Sequence, residues 1–170
     1  AALLMSAAKK LIKTHIQERG SLEGSIEAVN DSLYENNDMR MFVTAFIGIL
    51  DLYDGNMEYI NAGHNPPLFY SSQKGEFEFL GGPHNCALGG IKGKKYSVVN
   101  KKICSNDALL LYTDGVTESV DSEKRLFSQE RLKEFINRDD IKKLPMKKLV
   151  RSIQREIKDF SCEGKYKDDV

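Results

Sequence analysis

The chain has 170 residues, 41 % apolar and 29 % charged, too apolar for a disordered polypeptide and enough for one ordinary domain. A mean hydropathy of −0.43 argues against a membrane-embedded chain. So does the longest strongly apolar run, residues 41–50, about half the roughly 20 residues that span a bilayer. Lys plus Arg is 25 and Asp plus Glu is 25. Zero net charge puts a phosphate-driven nucleic-acid binder last, and no nucleic-acid partner is expected.

The first elements are helical. Leu4, Ala8, Leu11, Ile12 and Ile16 share one face, with Lys9, Lys10, Lys13 and Gln17 off it. Gly20 stops this helix and Ser21 suits the N-cap of the next. Leu22, Ile26, Val29 and Leu33 then step by a helical period. Ala1-Ala2-Leu3-Leu4-Met5 reads as helix interior, so the chain is expected to be cut from a longer protein.

The pattern then turns to strands. Residues 42–50 are β-branched, aromatic and nearly continuous, which predicts a strand covered on both faces. Asp54-Gly55 marks a turn, and residues 57–61 return as a partner strand. Asn65-Pro66-Pro67 breaks it before Leu68-Phe69-Tyr70. Gln73-Lys74-Gly75-Glu76 is another turn, leading into Phe77-Glu78-Phe79-Leu80. Residues 96–103 alternate weakly as a strand, and residues 108–112 form a short apolar strand ending at Thr113-Asp114-Gly115.

The last third is helical again. Ser128 is the predicted N-cap of a helix carrying Leu132, Phe135 and Ile136. Pro145 suits the first turn of another, with Met146, Leu149, Val150, Ile153, Ile157 and Phe160 as its apolar stripe. Clustered strands between helix pairs predict an α+β fold with antiparallel sheet.

Few residues stand out chemically. Cys86, Cys104 and Cys162 match no zinc or redox spacing and suit a reducing compartment. Asp114 ends a buried strand, and Gly115 permits a sharp turn. A carboxylate held there suits a hard cation such as Mg²⁺ or Mn²⁺; an ordinary Asp-Gly turn is the plainer alternative. Asp168-Asp169 could share a cation, although Lys165-Tyr166-Lys167-Asp168-Asp169 also reads as a solvated tail. His64, in Asn61-Ala62-Gly63-His64-Asn65-Pro66-Pro67, could be a general acid, a ligand or a packing residue. Residues 138–158 hold a basic excess, read as a solvated helix face or a docking patch for an acidic or phosphorylated partner.

Three strings together carry a resemblance. They are Met41-Phe42-Val43-Thr44-Ala45-Phe46 with Asn61-Ala62-Gly63-His64-Asn65-Pro66-Pro67; Leu109-Leu110-Leu111-Tyr112-Thr113-Asp114-Gly115-Val116-Thr117-Glu118; and Lys167-Asp168-Asp169-Val170. In that order the chain resembles, over its whole length, the SpoIIE-type branch of the PPM superfamily, metal-dependent serine/threonine protein phosphatases of bacteria.

The resemblance implies an antiparallel β-sandwich core flanked by helices in α-β-β-α layers. It implies a two-metal site, Mn²⁺ or Mg²⁺, in which Asp114 and Asp168 are metal aspartates and catalytic residues, with Asp169 a further metal ligand. A metal-activated water would attack a phosphoserine or phosphothreonine in line. The family's other metal aspartates lie in a Gly-Asp-Phe-Tyr-Asp-like strand and a Gly-Asp-x-x-Gly-x-Gly-like turn. That turn directly precedes the Ala-Ala-Leu-Leu-Met helix. Residues 1–170 are therefore expected to be a single domain lacking its N-terminal strands and last C-terminal strand, and inactive alone. The implied parent is the cytoplasmic output domain of a bacterial signalling protein, downstream of a sensor, receiver or membrane-anchored region. Its implied partner is a phosphorylated regulatory protein of the anti-sigma-factor-antagonist type. A homodimer through the exposed first helix is open. Two alternatives are a non-catalytic partner-binding domain of the same fold and a small-molecule-binding domain using the loop at residues 61–67.

Overall fold

The computed structural model describes residues 2–35, 41–83 and 85–162. Two compact units make up the chain, residues 1–64 with 81–104 and residues 65–80 with 105–170. Each is a helix pair packed with a three-stranded antiparallel sheet, as the clustering of strands between helices predicts.

In the first unit, α1 (Ala2–Arg19) and α2 (Leu22–Glu35) precede β1 (Ala45–Leu50) and β2 (Asn56–Ala62), with β5 (Val99–Lys102) completing the order β1-β2-β5. Its core joins Leu4, Ala8, Leu11, Ile12 and Ile16 of α1 to Ile26, Val29 and Leu33 of α2 and to Ile47 and Ile60 of the sheet. These are the predicted helical faces. Gly20 ends α1 with φ +67°. The β1–β2 register runs from Ala45 opposite Ala62 to Leu50 opposite Met57. At its turn, the Gly55 N–H donates to Asp51 O at 2.8 Å and the Asn56 N–H to Asp54 Oδ1 at 2.7 Å. A Cβ on Gly55 would sit 2.5 Å from Ile103 O, so only glycine fits this closure.

Two strand expectations need correction here. The run 42–50 is a strand only over Ala45–Leu50, and it is not covered on both faces: Ile49 and Leu50 are 41 % and 42 % exposed. The strand is the edge of its sheet, and only Ile47 turns fully into the core. Residues 96–103 shrink to Val99–Lys102 because the Ser97 backbone pairs with a side chain instead: its N–H donates to Asn85 Oδ1 at 3.0 Å and its O accepts Asn85 Nδ2 at 3.3 Å, while the side chains just before the strand reach α2. The Tyr96 hydroxyl donates to Asn30 Oδ1 at 3.0 Å, and Lys95 Nζ meets Glu27 Oε2 at 2.7 Å.

In the second unit, β3 (Leu68–Ser71), β4 (Glu76–Phe79) and β6 (Ala108–Leu110) form the order β4-β3-β6. A one-turn helix α3 (Asp114–Thr117) follows, then α4 (Gln129–Ile136) and α5 (Met146–Cys162). Leu68 and Phe77 of the sheet, Leu132, Phe135 and Ile136 of α4, and Leu149, Ile153 and Phe160 of α5 share one core with Phe127. Ser128 caps α4 as expected, its hydroxyl accepting the Arg131 N–H at 3.3 Å. Pro145 lies one residue before α5, where its carbonyl accepts the Leu149 N–H at 3.0 Å. The predicted stripe of α5 is too wide. Met146 and Val150, 48 % and 42 % exposed, lie on its shoulder rather than in the core. Among the described residues no helix is long and apolar enough to cross a membrane.

Candidate functional site

The chain leaves β6 through exposed Leu111, buried Tyr112 and exposed Thr113, then closes into α3 at Asp114. Thr113 is extended (φ −97°, ψ 169°), so the backbone turns sharply between it and Asp114. The Asp114 carbonyl accepts the Glu118 N–H at 2.7 Å and the Thr117 hydroxyl at 3.3 Å. Thr117 is buried, and this pins the turn from below. The predicted Asp-Gly turn is thus the first turn of a short helix.

A hairpin braces that helix. The Ser119 hydroxyl donates to Gly115 O at 2.9 Å, and the Ser128 N–H donates to Thr117 O at 3.0 Å. Val120 bridges Leu126 across the hairpin. At its centre Asp121 accepts the Glu123 N–H at 2.8 Å, the Arg125 N–H at 2.9 Å and Arg125 Nε at 2.8 Å. Sequence reading did not single out Asp121; its polar surroundings look like any turn.

The Asp114 carboxylate itself is exposed and has no hydrogen-bond or ion-pair partner among the described residues. A charged oxygen donor on a braced backbone, unspent on its own fold, has the chemistry of a hard-cation ligand. Among the described residues, however, no group of three or more His, Cys, Asp or Glu gathers to hold a metal. The described residues therefore supply one fitting donor. Asp168 and Asp169 lie outside the described residues.

In the first unit, Asn61-Ala62-Gly63-His64 closes on itself. Asn61 Nδ2 donates to His64 O at 2.9 Å, and Asn61 Oδ1 accepts the His64 N–H at 2.8 Å. Gly63 adopts φ +71°, and a Cβ there would meet Ala87 N at 3.1 Å. The string is thus a turn built by Asn61, with His64 half-buried at its end. Asn61 was missed as its architect, although an Asx residue three before a loop residue is a legible signal.

The family pattern for Stage II sporulation protein E (SpoIIE) matches residues 1–170. The phosphoserine phosphatase RsbU of Bacillus subtilis (strain 168) is 26 % identical over 161 residues, 94 % of this chain and 44 % of RsbU. Among solved structures, the RsbU and RsbW domains of Rv1364c from Mycobacterium tuberculosis superpose with TM-score 0.77. That match is 21 % identical and covers 95 % of this chain and 44 % of that one. The PP2C phosphatase domain of SpoIIE from Bacillus subtilis, solved with a fragment of its regulatory domain, gives TM-score 0.71. Its identity is 16 %, with 95 % of this chain and 46 % of that one covered. A manganese-presoaked crystal of the same phosphatase domain gives 0.59 at 15 % identity, covering 94 % and 66 %. The fold is that of these phosphatase domains, and the chain spans less than half the length of RsbU.

Proposed function

The chain belongs to the Stage II sporulation protein E (SpoIIE) family, and on that premise we propose that it is part of a metal-dependent serine/threonine phosphatase domain. The domain would be the cytoplasmic output of a bacterial signalling protein. Its substrate would be a phosphoserine or phosphothreonine on a regulatory protein of the anti-sigma-factor-antagonist type. The similarity to an enzyme named phosphoserine phosphatase, over 94 % of this chain, supports the reaction class.

The observation that carries the reading is the exposed carboxylate of Asp114, without a partner among the described residues, on a turn braced from two sides. Asp114 would hold a divalent cation, with Asp168 and Asp169 as further ligands. The manganese-presoaked relative supports the class of ion. The remaining donors would come from parts of the longer protein outside these 170 residues, which would make the whole a single domain. What a bound metal pair supplies is activation of a water and neutralisation of phosphoryl charge. Asp114's share is to fix a charged oxygen in place without reorganisation, since its backbone is held by Thr117 and Glu118. The substrate's phosphate needs no covalent link to the protein.

The test is hydrolysis of a phosphoserine peptide by the parent protein, with and without Mn²⁺, for wild type, Asp114→Asn and Asp168→Asn. Loss of Mn²⁺-dependent turnover by about a hundredfold or more in both variants is the expected result. Undiminished turnover in Asp114→Asn overturns the assignment.

A further inference from the structure

Helix α5 carries a charge pattern its own fold does not use. Its buried side is Leu149, Ile153 and Phe160. At roughly 100° per residue, Lys147, Arg151, Arg155 and Lys158 fall together on the opposite side, with Lys148 beside them. All five are exposed and meet no carboxylate among the described residues. Several other cations of the same unit are paired: Lys74 with Glu78 at 2.7 Å, Arg138 with Asp140 at 3.0 Å, Lys142 with Asp139 at 2.9 Å.

This stripe works against the helix that bears it. Lys147 and Lys148 occupy the first turn, which holds no acidic residue, so they oppose the helix dipole. Lys147 with Arg151, and Arg151 with Arg155, are like charges four residues apart, and each pair is repulsive. Asp159, four residues after Arg155, offsets the far end of the stripe, but from Lys147 to Arg151 the like charges have no such neighbour on the helix, which marks a surface whose compensation comes from outside the fold.

We infer that the basic face of α5 docks an acidic protein segment, a helix or strap bearing several carboxylates beside an apolar residue. Met146 and Val150, exposed on the shoulder of the first turn beside the start of the stripe, offer the apolar contact. A lipid surface fits less well. The apolar side of α5 is already spent in its own core and cannot enter a bilayer. A nucleic acid fits less well too, because its phosphate backbone brings no apolar side chain to exposed Met146 and Val150. This inference does not depend on the phosphatase reading.

The test uses the full chain and a labelled amphipathic peptide of Glu and Leu, followed by fluorescence anisotropy as salt is raised. Lys147→Gln/Arg151→Gln/Arg155→Gln removes three stripe charges at exposed positions. Lys9→Gln/Lys10→Gln/Lys13→Gln removes the same charge from exposed α1 positions. The expected result is salt-sensitive binding, weakened about tenfold or more by the α5 variant and little changed by the α1 variant. Equal weakening by both variants means that net charge alone drives binding, and overturns the inference. So does wild-type affinity in the α5 variant, or displacement of the peptide by phosphatidylserine vesicles or duplex DNA more readily than by unlabelled peptide.

Discussion

The carboxamide of Asn137 pairs with the backbone of Phe77 in both directions. Its Oδ1 accepts the Phe77 N–H at 2.8 Å, and its Nδ2 donates to Phe77 O at 2.9 Å. Asn137 is the C-cap of α4, and β4 is an edge of its sheet. One side chain thus stands in for a strand neighbour and joins helix to sheet beside buried Phe77. Asn137→Ala leaves both backbone groups of Phe77 without this partner. A loss of about 1–3 kcal/mol in urea unfolding is expected. An unchanged midpoint would mean that water replaces both bonds at no cost.

Gly63→Ala should be costly for two separate reasons. The backbone at φ +71° costs an L-residue about 1–2 kcal/mol, and the new Cβ would press on Ala87 N at 3.1 Å and Ala87 Cα at 3.3 Å. Loss of stability should be accompanied by shifted amide signals at His64 and Ala87. Gly75→Ala is the control: its φ is the same, +71°, but nothing lies within 4 Å of its Cβ, so only the backbone cost remains. Equal losses at the two positions would mean that the close approach to Ala87 relaxes freely.

These positions show what the sequence could and could not reveal. The buried face of α1, the Gly20 stop, the Ser128 cap and the Asp114 turn all rest on neighbours within a few residues, so periodicity and turn chemistry find them. The tie of Tyr96 to Asn30 just before β5 and the closure of β4 by Asn137 each run across about sixty positions that no local pattern links. The covering of β1 was misread because a continuous apolar run looks alike on an edge and in a sheet centre. Within the candidate site, the turn at Asp114 was legible, but the strand before it is half-buried and stops at Leu110 rather than running buried to Tyr112, and the Asp121 brace was hidden in an ordinary polar turn.

Tyr96 and Tyr112 separate a bonded buried phenol from an unbonded one. The Tyr96 hydroxyl donates to Asn30 Oδ1, which also accepts the Gly89 N–H at 3.0 Å. The Tyr112 hydroxyl is buried with no hydrogen-bond partner among the described residues. Tyr96→Phe should cost about 1 kcal/mol at neutral pH, while Tyr112→Phe should fall within about 0.5 kcal/mol of wild type. Burial pushes both phenols up to about 12, with Cys86 and Asp31 adding at Tyr96 and Glu130 at Tyr112. Both folded values lie above the ordinary 10.0, so the fold favours the protonated phenol. Their contribution is whole below pH 10 and is lost as pH rises through about 12. Each Phe variant should flatten that alkaline fall in urea midpoints; a fall as steep as wild type in both would place its origin elsewhere.

Asp121 titrates in the opposite sense. Burial alone would raise its carboxyl, but the Arg125 N–H, the Arg125 guanidinium and the Glu123 N–H outweigh that and hold it below the ordinary 3.8. A folded value below the unfolded one means that the charge stabilises the fold above pH 3.8, and that this is lost as pH falls through the folded value. Asp121→Asn keeps an acceptor oxygen but removes the charge. Its stability deficit should therefore be constant near neutrality and shrink toward zero in strong acid. Because Ser119 and Ser128 tie this hairpin to α3, the variant should also speed hydrogen exchange at Val116 and Glu118, beneath the Asp114 turn. A deficit that does not change with pH would assign the role of Asp121 to shape rather than charge. Exchange left unchanged at Glu118 would show that the Asp114 turn holds without its brace.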